Sequence, residues 1–299
     1  MSMTTIVLEE TRAAAPARFA DYLELTKPRI AALVLVTVTV AAFVAAWGPP
    51  NAIDLVNTLL GTALIAASAS ALNQWLERES DAHMARTADR PMPAGRLNSR
   101  QVLSFGAATI VIGTLQLAIT VNLLTALLGL LTWFLYVWVY TPLKAHTSAN
   151  TAIGAIAGAM PVLMGWSAVA PLDLKAFALF LIVFLWQFPH FMAIAWIYRD
   201  QYAAAGLKML PVVDPSGHRA GAQAVVAALL LVPVSLVPAV QNLAGPMYFG
   251  WALTLSIAQF LCAVAFYVRL DEASARRLLR ASLIYLPLLM ILLMLGPLV

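Results

Sequence analysis

The sequence predicts an all-α fold: a polytopic membrane helical bundle of about nine transmembrane helices, N-terminus cytoplasmic and C-terminus outside. Three observations predict it. First, 62% of the 299 residues are hydrophobic and 11% are charged, with a mean hydropathy of +0.85, whereas a soluble domain carries about 25% charged residues. Second, apolar runs of about twenty residues recur along the chain, each long enough to cross a bilayer as a helix. Third, the basic residues fall almost entirely on alternate loops, as the positive-inside rule requires.

The N-terminal stretch 1–26 reads as a cytoplasmic tail, partly disordered, with an interfacial helix around Phe19 to Leu25. It lacks the apolar core and small-residue site of a signal peptide, and Glu9 and Glu10 argue against a transit peptide. Residues 27–299 read as a single transmembrane domain with spans at roughly 28–47, 54–75, 101–121, 123–141, 150–170, 175–197, 221–241, 247–268 and 279–298. Asn122 marks the turn between spans three and four, and Gly245-Pro246 that between seven and eight. Pro189 predicts a break in span six, and Pro233 and Pro238 a kink in span seven.

Arg12, Arg18, Lys27 and Arg29 precede span one. Arg78, Arg86, Arg90, Arg96 and Arg100 follow span two, and Lys144 follows span four. Arg199, Lys208 and Arg219 follow span six, and Arg269, Arg276, Arg277 and Arg280 follow span eight; only Lys175 lies on the other side. The pI near 9.4 therefore reflects orientation in membrane lipid, with no nucleic acid implied. The lone Cys262 sits in an apolar run and excludes a disulfide framework.

Asn73, Glu77 and Asp81 are spaced four and four after span two. If the helix continues through them, each step rotates only about 40°, so three hard oxygen donors share one face. Such a face suits Mg²⁺, which takes one or two carboxylates plus phosphate oxygens. A frayed helix end with exposed ion pairs fits the spacing equally well, but Asn73 follows Ala71-Leu72 at membrane depth. Arg86 and Arg90 lie in a loop shaped by Pro91, Pro93 and Gly95, and arginine forks match phosphate oxygens. Lys144 reads either as a snorkelling lysine or as a point charge for a diphosphate. Within Trp186-Gln187-Phe188-Pro189-His190-Phe191, a histidine in a span could ligate haem iron or another metal, move a proton, or hydrogen-bond a neighbouring helix. Asp200, after span six, could complete a metal site with the first cluster or pair with Arg199. The glycines of 153–159 read as close helix packing, and Gly165-Trp166 as an anchor near the outer interface.

Taken in order, these segments resemble the intramembrane UbiA-type prenyltransferase superfamily, and within it the branch that acts on haem, the protohaem IX farnesyltransferases or haem O synthases. The resemblance spans nearly all of the chain after about residue 20. It is carried by Leu25-Thr26-Lys27-Pro28-Arg29; Asn73 through Asp81 with Met84, Arg86-Thr87, Arg90-Pro91 and Gly95; Tyr140-Thr141, Leu143-Lys144 and Asn150; Gly158-Ala159, Pro161 and Gly165-Trp166; Trp186-Gln187 and Pro189-His190-Phe191; then Tyr202, Gly206 and Met209-Leu210-Pro211. The superfamily usually has Asp where Glu77 stands, and the haem branch has Glu. Ala145 and His146 stand where further basic residues are common, and Gln201 where another acid is common.

The resemblance implies transfer of farnesyl from farnesyl diphosphate to the 2-vinyl group of protohaem IX (haem b), with water, giving haem O and diphosphate. It implies Mg²⁺ held by Asn73, Glu77, Asp81 and Asp200, and diphosphate contacts from Lys27, Arg29, Arg86, Arg90 and Lys144. It places His190, Trp186 and Gln187 at the haem, with Asn73, Glu77, Asp81 and His190 in the catalytic set. The setting implied is a bacterial cell inner membrane with the active site facing the cytoplasm, beside a haem A synthase or terminal oxidase assembly proteins. The alternatives are a prenyltransferase for a quinone-type aromatic acceptor and a non-catalytic haem transporter or assembly factor.

Overall fold

The computed structural model describes residues 19–240 and 246–295. The tail before Phe19, the Gly245 half of the turn before span eight, and the last four residues lie outside the described residues. Among the described residues there is helix and no strand. The expected interfacial helix is α1 (Phe19–Leu25). The first long helices are α2 (Pro28–Ala46) and α3 (Ala52–Leu76), followed by a short α4 (Arg78–Ala82) and then α5 (Ser99–Thr120). Next, α6 (Leu123–Phe134) passes through a π-helical stretch, Leu135–Tyr140, into α7 (Thr141–His146). The rest comprises α8 (Asn150–Ser167), α9 (Leu174–Ile197), α10 (Arg199–Ala204), α11 (Leu210–Val213), α12 (His218–Val240), α13 (Pro246–Arg269) and α14 (Glu272–Leu295).

Local chemistry starts these helices where polar residues meet apolar runs. The Asn51 side chain accepts from the Ile53 and Asp54 amides and caps α3. Asn98 and Gln101 form a reciprocal capping box on α5, and Asn122 and Asp173 cap α6 and α9. Each cap satisfies backbone donors that the helix itself cannot.

Eight helices are long and apolar enough to cross a membrane, so the protein is integral to one. The span expected at 150–170 forms α8, which is shorter and stands outside those eight because Asn150, Thr151, its glycines and Pro161 dilute its apolar character. Of its 18 residues, 14 are buried. It packs against α2, α6 and α9, and its small residues allow the approach: a Cβ on Gly165 would lie 2.2 Å from the Val38 carbonyl oxygen of α2, and one on Gly154 would meet the Tyr140 ring. Trp166, expected as an interface anchor, is instead buried, its indole N–H donating to the Pro171 carbonyl. Large apolar side chains such as Ile119, Leu229, Leu261 and Ile291 point outward, where lipid tails solvate them.

Pro189 does not break its span: α9 runs from Leu174 to Ile197 through it. Pro233 and Pro238 likewise lie inside a continuous α12. In a membrane, neighbouring helices re-satisfy the backbone groups that a proline frees.

One end of the bundle is tied together by polar bonds. Arg96 pairs with Asp21 and Glu24 of α1. The Lys208 amide donates to the Lys144 carbonyl at 2.7 Å, and the Asn150 side chain to the Lys208 carbonyl. Segments 19–27, 77–98, 144–150 and 198–208 therefore share this end, and it carries the polar clusters.

Candidate active site

Helix α3 does not run on through Asp81 as one rod. It stops at Leu76; Glu77 (φ −94°, ψ 6°) turns the chain into α4. The i to i−4 bonds nevertheless straddle the turn, from the Glu77 amide to Asn73 and from the Asp81 amide to Glu77. The three side chains stay together and buried: Asn73 is 1% exposed, Glu77 9% and Asp81 1%. Burial at this depth rules out the frayed, solvated end.

Each oxygen-bearing group is met by a cation from another segment. Lys144 Nζ lies 2.7 Å from Glu77 Oε1 and 4.4 Å from the centre of the Tyr140 ring. Arg90 reaches back from the loop to Asp81 Oδ2 at 2.6 Å. Lys27 Nζ donates to Asn73 Oδ1 at 2.6 Å, and Asn73 Nδ2 donates to Thr141 Oγ1 at 3.0 Å. Thr141 follows the π-helical stretch and in turn donates to the Tyr136 carbonyl. Such wide turns inside helices recur at functional sites because they re-aim side chains.

Lys27 has a left-handed backbone (φ 52°, ψ 64°) immediately before Pro28, a conformation that costs a non-glycine residue about 1–3 kcal/mol. That strain is stored where the side chain touches Asn73. Burial, reinforced by the Arg90 guanidinium, lowers the Lys27 ammonium to about 7. Burial alone would raise Glu77, but Lys144 and Lys27 outweigh it and hold the carboxyl below its ordinary value. The site is thus a partly dehydrated array in which Arg90 and Lys144 each face a carboxylate and Lys27 adds a third basic group.

Arg86 lies over the rings of Tyr198 and Tyr202, 5.1 and 5.8 Å from their centres, and donates to the Tyr202 hydroxyl. It links the loop after α4 to the start of α10. Arg29 is exposed in the first turn of α2 and makes no ion pair among the described residues. Asp200 stays apart from the cluster. The chain turns at Tyr198 (φ −107°, ψ 18°), and the Asp200 side chain is 91% exposed with Arg199 as its charged neighbour. Its expected place in the metal set is not formed.

The second cluster lies within α9. Trp186 stacks on His190 (centroids 4.8 Å apart) and donates its indole N–H to the Ser282 carbonyl of α14. His190 Nδ1 is 2.9 Å from Ser282 Oγ. Gln187, expected at a haem, serves helix packing: its amide N–H donates to the Ala155 and Val183 carbonyls, and its Oε1 occupies the space a Cβ on Gly158 would need. An apolar crevice, lined partly by Leu179, Ile182 and Val183 of α9 and by Leu286, Leu289 and Met290 of α14, lies beyond the His190–Ser282 pair on the same two helices. Ser282 and Thr141 partner the site residues, and sequence reasoning gave Ser282 no role. Its only signal is a small polar residue in an apolar run, and such a serine commonly just bonds its own helix.

A divalent cation can be tested against this donor set. Among the described residues no three His, Cys, Asp or Glu side chains are grouped to hold a metal by themselves. Asn73, Glu77 and Asp81 offer hard oxygens only, two of them carboxylates. That incomplete set fits Mg²⁺ drawing its other ligands from water and diphosphate oxygens.

Residues 34–291 match the model of the UbiA prenyltransferase family. The chain is 43% identical over 282 residues to a protoheme IX farnesyltransferase of Solibacter usitatus, covering 90% of this chain and 96% of that one. It is 40% identical over 307 residues to one of Koribacter versatilis, covering 99% of both. Among solved structures, a digeranylgeranylglyceryl phosphate synthase superposes with a TM-score of 0.78 at 14% identity, covering 93% of this chain and 98% of that one. A UbiA homologue from Archaeoglobus fulgidus bound to DMAPP and Mg²⁺ superposes with a TM-score of 0.68 at 19% identity, covering 93% and 99%. A bundle of this architecture, two buried carboxylates ringed by cations at one end, and similarity running through residues 34–291 lead to one conclusion: the chain belongs to the UbiA prenyltransferase family.

Proposed function

We propose that the protein transfers farnesyl from farnesyl diphosphate to the 2-vinyl group of haem b, with addition of water, giving haem O and diphosphate. The observation that carries the diphosphate half is the array of half-buried Lys27, Arg90 and Lys144 around the buried Asn73, Glu77 and Asp81. The haem half is supported by full-length similarity to proteins named protoheme IX farnesyltransferase.

In the reaction the farnesyl C1–O bond breaks and diphosphate leaves with the bonding electrons. Lys144, Arg90 and Lys27 bind its oxygens, exchanging their present carboxylate and amide partners for phosphate, and Arg86 closes the array from the tyrosine side. Charge-assisted bonds of this kind are the strong ones in a partly dehydrated site. Asn73, Glu77 and Asp81 would hold Mg²⁺, which when bound neutralises charge on the departing diphosphate; a family homologue binds DMAPP with Mg²⁺. The vinyl π electrons form the new bond to farnesyl C1. Water adds to the resulting cation next to the ring and gives up a proton, leaving the hydroxyl. The apolar helices keep water from the farnesyl carbon, which would otherwise yield farnesol.

The basic loops support an orientation with this end of the bundle in the cytoplasm of a bacterial cell, the helices crossing the inner membrane. The product stays in the lipid, where a haem A synthase or oxidase assembly protein would receive it. The test is to express the chain in membranes, extract the haems and separate them with mass detection. A haem carrying one added farnesyl and one hydroxyl is expected. Prenylated quinone without a new haem would identify a different acceptor, and neither product would argue for a non-catalytic haem carrier.

A further inference from the structure

Ser282 of α14 makes two side-chain contacts with one hydroxyl proton. Its Oγ is 2.7 Å from the Leu279 carbonyl oxygen and 2.9 Å from His190 Nδ1. A carbonyl can only accept, so the hydroxyl proton belongs on the Leu279 bond; placing it on the histidine would leave two acceptors facing each other at 2.7 Å. His190 Nδ1 must then carry the hydrogen and donate it to Ser282 Oγ. The consequence falls on the far side of the ring: a neutral imidazole protonated at Nδ1 has a lone pair at Nε2. Nε2 has no hydrogen-bond partner among the described residues and is not one of the enclosed, unpartnered polar atoms. The ring cannot easily turn. Trp186 stacks on it with an interplanar angle of 22°, and the Trp186 indole N–H is fixed by the main-chain carbonyl of Ser282. One residue of the last helix therefore holds both aromatic rings, one through its backbone and one through its hydroxyl.

We propose that Ser282 is a positioning residue that fixes His190 as the Nδ1–H tautomer, so that Nε2 presents a lone pair to the iron of the haem acceptor. This rests on the haem-acceptor reading above. The lone pair forms a coordination bond and no proton moves. The hydrogen bond at the other nitrogen makes the imidazole a stronger ligand, as the outer partners of metal-bound histidines do.

The experiment uses the full-length protein in lipid nanodiscs, titrated with haem b and followed by Soret absorbance. After reduction, the iron–histidine stretch is read by resonance Raman. Ser282→Ala removes only the hydroxyl and keeps the carbonyl that holds Trp186. It is expected to lower the iron–histidine frequency and weaken haem binding about 10- to 100-fold, while Ser282→Thr retains both wild-type values. Wild-type frequency and affinity in Ser282→Ala would overturn the proposal, as would a wild-type haem spectrum in His190→Ala. A chain that shows the Ser282 effect yet makes no prenylated haem would leave this role standing and remove the proposed reaction.

Discussion

Lys27 combines a strained backbone with a side chain that reaches the site. Replacing it with glycine relieves the left-handed conformation, to which glycine is indifferent, and removes the ammonium. Lys27→Gly should therefore leave the thermal midpoint unchanged or slightly higher while weakening inorganic diphosphate binding at least about tenfold, the loss expected for one charge-assisted contact. Calorimetric titration beside a melting curve checks both halves; equal affinity would detach Lys27 from the diphosphate. The Glu77–Lys144 pair makes a second prediction. Lys144→Met strands a buried carboxylate and should destabilise by about 3–5 kcal/mol. Adding Glu77→Gln should recover much of that, as a double-mutant cycle of unfolding in micelles would read. At this scale Asn73, Glu77 and Asp81 were legible because helical spacing puts them on one face. Their direct pairing with Lys144 and Thr141 was not, since these come from distant segments and meet the cluster only through tertiary packing. Asp200 and Gln187 had plausible side chains in plausible places, but one faces outward and the other clamps α9 to α8.

At the scale of elements, the turn at Glu77 and the π-helical stretch before Thr141 re-aim the site residues, and neither interrupts the apolar pattern from which the sequence is read. Helix α8 carries the packing consequence. Its glycines bring α2 and α9 close, so Gly165→Ala must displace Val38 backbone that lies 2.2 Å from the new Cβ. A destabilisation of about 1–3 kcal/mol is expected from such overpacking, measured by thermal unfolding in detergent; a neutral substitution would show that α8 and α2 can separate freely. The same glycines, with Asn150, Thr151 and Pro161, make α8 the least membrane-like of the expected spans. The expected break at Pro189 failed for a different reason: proline rules drawn from water-soluble helices overstate the penalty where neighbouring helices supply partners.

For the whole molecule, the fold class and the polar end of the bundle were legible from composition and loop charge, because a bilayer imposes both on any chain that crosses it. The orientation makes a direct prediction. In a Cys262→Ala background, a cysteine at Asp89, in a loop at the polar end and 98% exposed, should react with impermeant maleimide only after cells are opened. One at Asn51, at the other end of α3, should react in intact cells. The reverse pattern would invert the topology. The chemistry is tested most directly by supplying the protein in nanodiscs with farnesyl diphosphate, haem b and Mg²⁺ in ¹⁸O-labelled water, and weighing the product. The reaction proposed here predicts a haem carrying one farnesyl group and one ¹⁸O hydroxyl, with one diphosphate released for each; unmodified haem beside labelled farnesol would contradict it.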